Sequence, residues 1–200
     1  MKKIILAAAL CFPLITTAQN TWEMPEVNQQ SQNPDAKYLL GAVPEENGKV
    51  VFRKTIDAPG KTAKQIYDII ENYMQKMTKE PNQLEQSRVS VADPDQGQLI
   101  GTYQEWLVFK QTALVTDRTR FFYALSVNCF DGRAEASITN IFYLYDEERL
   151  AQNYKAEDWI TDKYGLKKKQ DKLSRVSGKF RRKTIDRKDY IFNKLESLLK

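Results

Sequence analysis

The chain has 200 residues, with 31 Lys plus Arg against 26 Asp plus Glu and no histidine. The missing imidazole excludes Ser-His and Cys-His nucleophile pairs and any His-ligated zinc or iron site. Cysteine occurs only at Cys11 and Cys129, which excludes a disulfide-rich scaffold.

Lys2 and Lys3 precede an almost unbroken apolar run from Ile4 to Ile15, and Thr16, Thr17 and Ala18 supply small residues at its end. This is the pattern of a secretory signal peptide over residues 1–18, cleaved after Ala18. The run is too short to span a bilayer, which takes about 20 apolar residues. Cys11 stands between Leu10 and Phe12, without the small preceding residue that lipid attachment requires. The expected product is periplasmic or secreted and not a lipoprotein. Residues 19–37, rich in Gln, Asn and Pro, read as a mobile leader whose only large apolar residues are Trp22, Met24 and Val27.

Residues 38–200 read as a single domain, long enough to bury about 70% of its unfolded surface. Tyr38 to Val43 is expected to pair with Lys49 to Ile56 across a turn containing Asn47-Gly48, the residue pair suited to positive φ. Ile66, Ile69, Ile70, Tyr73, Met74 and Met77 then recur at helical spacing, with Thr62 and Gln65 placed as a capping box and Pro81 past the end. Four strands are expected between Gln86 and Tyr145, separated by turn clusters at Asp93 to Gly97, near Asp117, and at Asp131-Gly132. In the last of them Ala134, Ala136, Ile138, Phe142 and Leu144 fall on one face by simple alternation, and Ile141 and Tyr143 on the other. Ala156 to Tyr164 reads as a short helix stopped by Gly165, and a final helix is expected from Asp186, carrying Ile191, Phe192, Leu195, Leu198 and Leu199 on one face. Strands grouped apart from helices indicate an α+β domain built on an antiparallel sheet.

The stretch at 38–70, with Gly48-Lys49-Val50-Val51-Phe52, and the stretch at 159–199, with Gly178-Lys179-Phe180-Arg181, resemble a family of secreted proteins from the Bacteroides group known as domain of unknown function 4468. The resemblance implies a TBP-like fold: a curved antiparallel sheet in the order strand, helix, four strands, helix, with the helices on one face. It implies no activity and transfers no functional residue, since fold alone does not carry function.

No catalytic, cofactor or metal motif emerges. Asp93, Asp95 and Gly97 match only the opening of a calcium loop, Pro94 interrupts them, and the closing Glu is absent. Gly165 to Lys169 lacks the spacing and the Ser/Thr of a phosphate loop. Cys129 alternates with apolar residues as a buried small hydrophobe would. Charge is the stronger signal: residues 163–188 hold twelve Lys or Arg against Asp171 and Asp186. Within this segment Lys179, Arg181, Arg182 and Lys183 form a candidate anion-binding surface, against the alternative that they pair with the acidic remainder of the domain. Val51, Phe122, Ile141 and Tyr143 form a second candidate, a sheet face opposite the helices that is either an open recognition surface or a second small core.

The function that follows is a non-enzymatic, exported binding or interaction module of the bacterial envelope. Its partners would be an anionic envelope polymer, a lipid headgroup or another envelope protein, with no nucleic acid, cofactor or transmembrane span. The alternatives are a carrier of a small apolar or lipid ligand in a sheet–helix cavity, and a histidine-free enzyme using Lys and carboxylates.

Overall fold

In the computed structural model the described residues are Asn20, Trp22, 33–113, 115–147 and 150–200. Residues 1–18, read above as a signal peptide and including Cys11, lie outside the described residues. A short 3₁₀ turn at Ala36–Tyr38 leads to a two-stranded hairpin of β1 (Glu45–Glu46) and β2 (Lys49–Val50), turned by Asn47 at φ 50° and Gly48 at φ 72°. The turn is the one expected, but the hairpin is shorter. Tyr38 to Val43 forms no strand, because Tyr38 and Leu39 give their carbonyls to Arg181 instead.

The main sheet is formed by β3 (Phe52–Asp57), β4 (Arg88–Asp93), β5 (Gln98–Gln111), β6 (Thr116–Phe130), β7 (Arg133–Tyr145) and β8 (Gln152–Lys155). Its order is β3-β7-β6-β5-β4, with β8 also on β7, and every pairing is antiparallel. This is the α+β architecture on an antiparallel sheet that the sequence pattern implied. Helix α1 (Ala63–Met77) opens with the expected capping box, in which Thr62 accepts from the Gln65 backbone and the Gln65 side chain accepts from the Thr62 backbone. Its buried stripe is Ile66, Tyr67, Ile70, Tyr73, Met74 and Met77.

The C-terminal helix differs most from expectation. After a 3₁₀ turn at Ala156–Asp158 and a single turn of helix, α2 (Asp162–Gly165), the chain forms α3 from Gly178 to Leu199, starting eight residues before Asp186. Its buried stripe runs Phe180, Arg181, Thr184, Ile185, Arg187, Ile191, Phe192, Leu195, Leu199. Two arginines and a threonine occupy inward positions, so a hydrophobic period cannot register the first half.

Both α1 and α3 join one hydrophobic cluster with the inward side chains of β3, β5, β6 and β7, including Ile56, Leu99, Tyr103, Leu107, Phe121, Leu125, Val127 and Ile138. Gly101 matters here, since a β-carbon on it would fall 2.5 Å from the Tyr103 ring, which stacks on Tyr123 at 5.3 Å. Within the stretch 19–37 read as a mobile leader, two of the described residues pack against the domain. Asn20 and Trp22 are buried, at 1% and 4% exposure. The Asn20 amide donates to Val108 O and accepts from Val108 N, extending the edge of β5, while the Trp22 ring lies 6.3 Å from that of Tyr190.

Candidate functional site: a cationic hairpin beside the start of α3

In the part of the basic run read as a candidate anion-binding surface, Lys179, Arg181 and Arg182 are engaged in internal contacts. The Lys179 ammonium donates to both Asp117 oxygens at 3.0 and 2.7 Å and to the Tyr145 hydroxyl at 2.9 Å. Next to it Phe180 is fully buried among Phe109, Tyr143, Tyr145, Tyr154 and Trp159, with centroids 4.6 to 6.3 Å away. Arg181 has no exposed surface; its fork donates to the carbonyls of Tyr38, Leu39 and Ile160 and to Asp162 Oδ1, all at 2.6 to 2.7 Å. Arg182 pairs with Asp35 and lies over the Tyr38 ring. Burial pulls the Lys183 ammonium below its ordinary value, with Asp186 opposing. The four side chains therefore do not share one outward surface, and Arg181 belongs to the core. Arginine suits that position because its rigid five-donor fork reaches three backbone carbonyls at once, those of Tyr38 and Ile160 and that of Leu39, which also accepts from Ala42 N.

A second arginine of α3 builds a buried ionic network that sequence reasoning did not find. Arg187 Nε donates to Glu105 Oε1 at 2.8 Å and its Nη2 to Glu80 Oε2 at 2.7 Å, and both Arg187 and Glu105 have zero exposure. Burial holds the Glu105 carboxyl above its ordinary range in spite of Arg187. Trp22 and Tyr190 lie 5.4 Å from the guanidinium on its remaining sides. The pair is sealed within the packing, so its role is to fix α3 against β5.

The free cations lie just upstream, on a hairpin closed by a bridge between Leu166 and Leu173. Lys167 N donates to Lys172 O, Gln170 N donates to Lys167 O, and Gln170 turns the tip at φ 56°. Its base is fixed: Ser174 N bonds Gly165 O, Ser177 Oγ bonds Tyr164 O, and a β-carbon on Gly178 would come 2.8 Å from Leu173 Cβ. Lys167, Lys168, Lys169, Lys172 and Arg175 are all exposed, and none has an ion-pair partner among the described residues. Beside them Tyr164 is 40% exposed and Val176 54%. The charge run signalled this region; what it could not show is which of the twelve cations the fold consumes.

The sheet-face group is also redistributed. Val51, Ile141 and Tyr143 are buried, and the Tyr143 hydroxyl bonds Thr184 of α3 at 2.6 Å. For Ile141 and Tyr143 the cause is a β-bulge: Phe122 faces Phe142 whereas Ala124 faces Thr139, so β7 carries one extra residue, and Asn140 absorbs it at φ 53°. Alternation reverses there, and Ile141 and Tyr143 rejoin Ala134, Ala136 and Ile138 on the helix side. Phe122 alone remains on the far face, stacked on Phe142 at 4.2 Å, near Trp106, which Arg118 covers at 3.8 Å.

Among the described residues no group of three or more Cys, Asp or Glu is placed to hold a metal ion, and no helix is long and apolar enough to cross a membrane. Burial raises the Cys129 thiol to about 11.

Residues 52–144 match the family described as a domain of unknown function (DUF4468) with TBP-like fold. The crystal structure of a DUF4468 family protein from Bacteroides ovatus is 40% identical, covers 84% of this chain and 96% of its own, and superposes with a TM-score of 0.77. The chain belongs to the DUF4468 family. A TBP-like protein from Parabacteroides distasonis, 20% identical over 78% of this chain and 96% of its own, shares the fold at a TM-score of 0.62. No curated protein sequence matches. For DUF4468 the comparisons thus supply a fold and no named activity.

Proposed function

We propose that this DUF4468 protein is exported by cleavage after Ala18 and serves in the envelope as a binding module, which docks its 167–175 hairpin on an anionic surface. The observation that carries the reading is the contrast within one basic run. Lys179, Arg181, Arg182 and Arg187 are held by Asp117, Asp162, Asp35 and Glu105, while five between Lys167 and Arg175 project without acidic partners among the described residues. Like charges crowded on a short hairpin repel one another, and neutralisation by an external anion relieves that cost. The firm base and free tip suit docking without refolding.

The carrier reading needs a cavity between sheet and helix. Phe180, Ile185, Ile191, Phe192 and Leu195 occupy that space, and the cleft of about 350 Å³ lies instead outside it, between β3 and α3, lined by Phe52, Arg53, Lys54, Lys188 and Phe192. The enzyme reading needs perturbed groups open to substrate, and Glu105 with Arg187 is sealed from solvent.

The test is binding of purified mature protein to phosphatidylglycerol vesicles and to dextran sulfate. Charge reversal at Lys167, Lys168 and Lys169 is expected to weaken low-salt binding to both by more than tenfold and to flatten its dependence on salt. Unchanged affinity would overturn the proposal. Mass analysis of the envelope-purified protein checks the export step, with a chain beginning at Gln19 as the expected product.

A further inference from the structure

Three separate connections present an exposed apolar side chain at one end of the molecule. The end of β5 pairs with the start of β6, Gln111 opposite Thr116, and the start of β6 pairs with the end of β7, Thr119 opposite Tyr145. The β5–β6 turn and the β7–β8 connection therefore leave the sheet together. Helix α3 begins at this end too, because Lys179 bonds both Asp117 and Tyr145. Val115 in the first turn is 55% exposed, Leu150 in the second 70%, and Val176, three residues before Lys179, 54%. Of the acids here, Asp117 is neutralised by Lys179 and Glu147 by Arg120, leaving Asp146 and Asp171 among the described residues against the five hairpin cations.

We infer that the anionic surface is a lipid bilayer, with Val115, Leu150 and Val176 entering the interface while Lys167, Lys168, Lys169, Lys172 and Arg175 meet the headgroups. This rests on the docking proposed above and assigns its partner. A hydrated polysaccharide gives exposed apolar tips nothing to bury against. A bilayer offers apolar depth and negative charge in one plane, the pairing that interfacial membrane binders use. The tips are short, so the contact is peripheral and reversible.

The test compares the wild type, a Val115→Ser/Leu150→Ser/Val176→Ser variant and the hairpin charge-reversal variant on phosphatidylglycerol vesicles, phosphatidylcholine vesicles and dextran sulfate. All three substitutions of the first variant are at exposed positions, and a thermal melt checks that it folds. The serine variant is expected to lose about ten- to a hundredfold in affinity for the anionic vesicles and nothing for dextran sulfate. A dye on Val176→Cys should shift to the blue on anionic vesicles alone. Wild-type vesicle affinity in the serine variant, or an unshifted dye, overturns the bilayer assignment. If charge reversal still weakens binding in that case, the docking proposal survives and the partner is a soluble anionic polymer.

Discussion

Replacing Glu105 by Gln tests whether the Arg187 network holds α3 in place. The substitution keeps the shape of the side chain and removes its charge. Arg187 and Glu105 both have zero exposure at 2.8 Å separation, so the guanidinium would keep only Glu80, which is partly exposed, as a counter-charge. Breaking a buried pair from one side costs about 3–5 kcal/mol, because the remaining charge is left in a medium that solvates it poorly. For a domain of this size each kcal/mol shifts the melting temperature by roughly 2–4 °C, so the expected fall is about 6–20 °C. The double variant Glu105→Leu/Arg187→Met removes both charges and should recover most of the loss, since a buried pair is often no better than a packed apolar one. Thermal melts of the wild type, Glu105→Leu, Arg187→Met and the double close the cycle, with Glu105→Gln as the shape-conserving control. A single variant as stable as the wild type, or a double as unstable as the singles combined, would refute the argument.

Two further expectations concern the chain's ends. Trp22→Ala should cost about 3 kcal/mol in urea unfolding, the range of large-to-small changes at buried aromatics, and an unmoved midpoint would show that the start of the chain contributes nothing to the core. Hydrogen bonds from Lys54 and Lys200 lower the Glu196 carboxyl from 4.5 to about 2. Its folded value lies below its unfolded value, so the stabilisation is complete above about pH 4.5 and is lost as pH falls toward 2. The stability difference between wild type and Glu196→Gln should therefore be present at pH 6, shrink through that window and diminish with added salt.

What was legible in the sequence was local. Thr62 and Gln65 cap α1 as their spacing requires, Asn47-Gly48 turns its hairpin, and the four strands from Arg88 to Tyr145 follow their turn residues. Where long-range pairing decides, the pattern misled. Asn140 adds one residue to β7, so strict alternation places Ile141 and Tyr143 on the wrong face. In α3 the inward Arg181 and Arg187 look like solvent residues until Asp162, Glu105 and three backbone carbonyls come together around them. The candidate anion site moved for the same reason: charge density locates a basic region, but only the fold shows which cations already have partners.

The burial of Trp22 against Arg187 and Tyr190 also bears on timing. A polypeptide that emerges amino end first presents Trp22 long before Arg187 and Tyr190, the side chains that receive it. The same delay applies to β3, which waits for β7, and to the carbonyls of Tyr38 and Leu39, which wait for Arg181. Closure of the core is thus deferred until the carboxyl-terminal helix has been delivered, because contacts distant in sequence must form before they stabilise anything. The export proposed above, which would thread the chain across a membrane while still extended, would be served by that order of assembly.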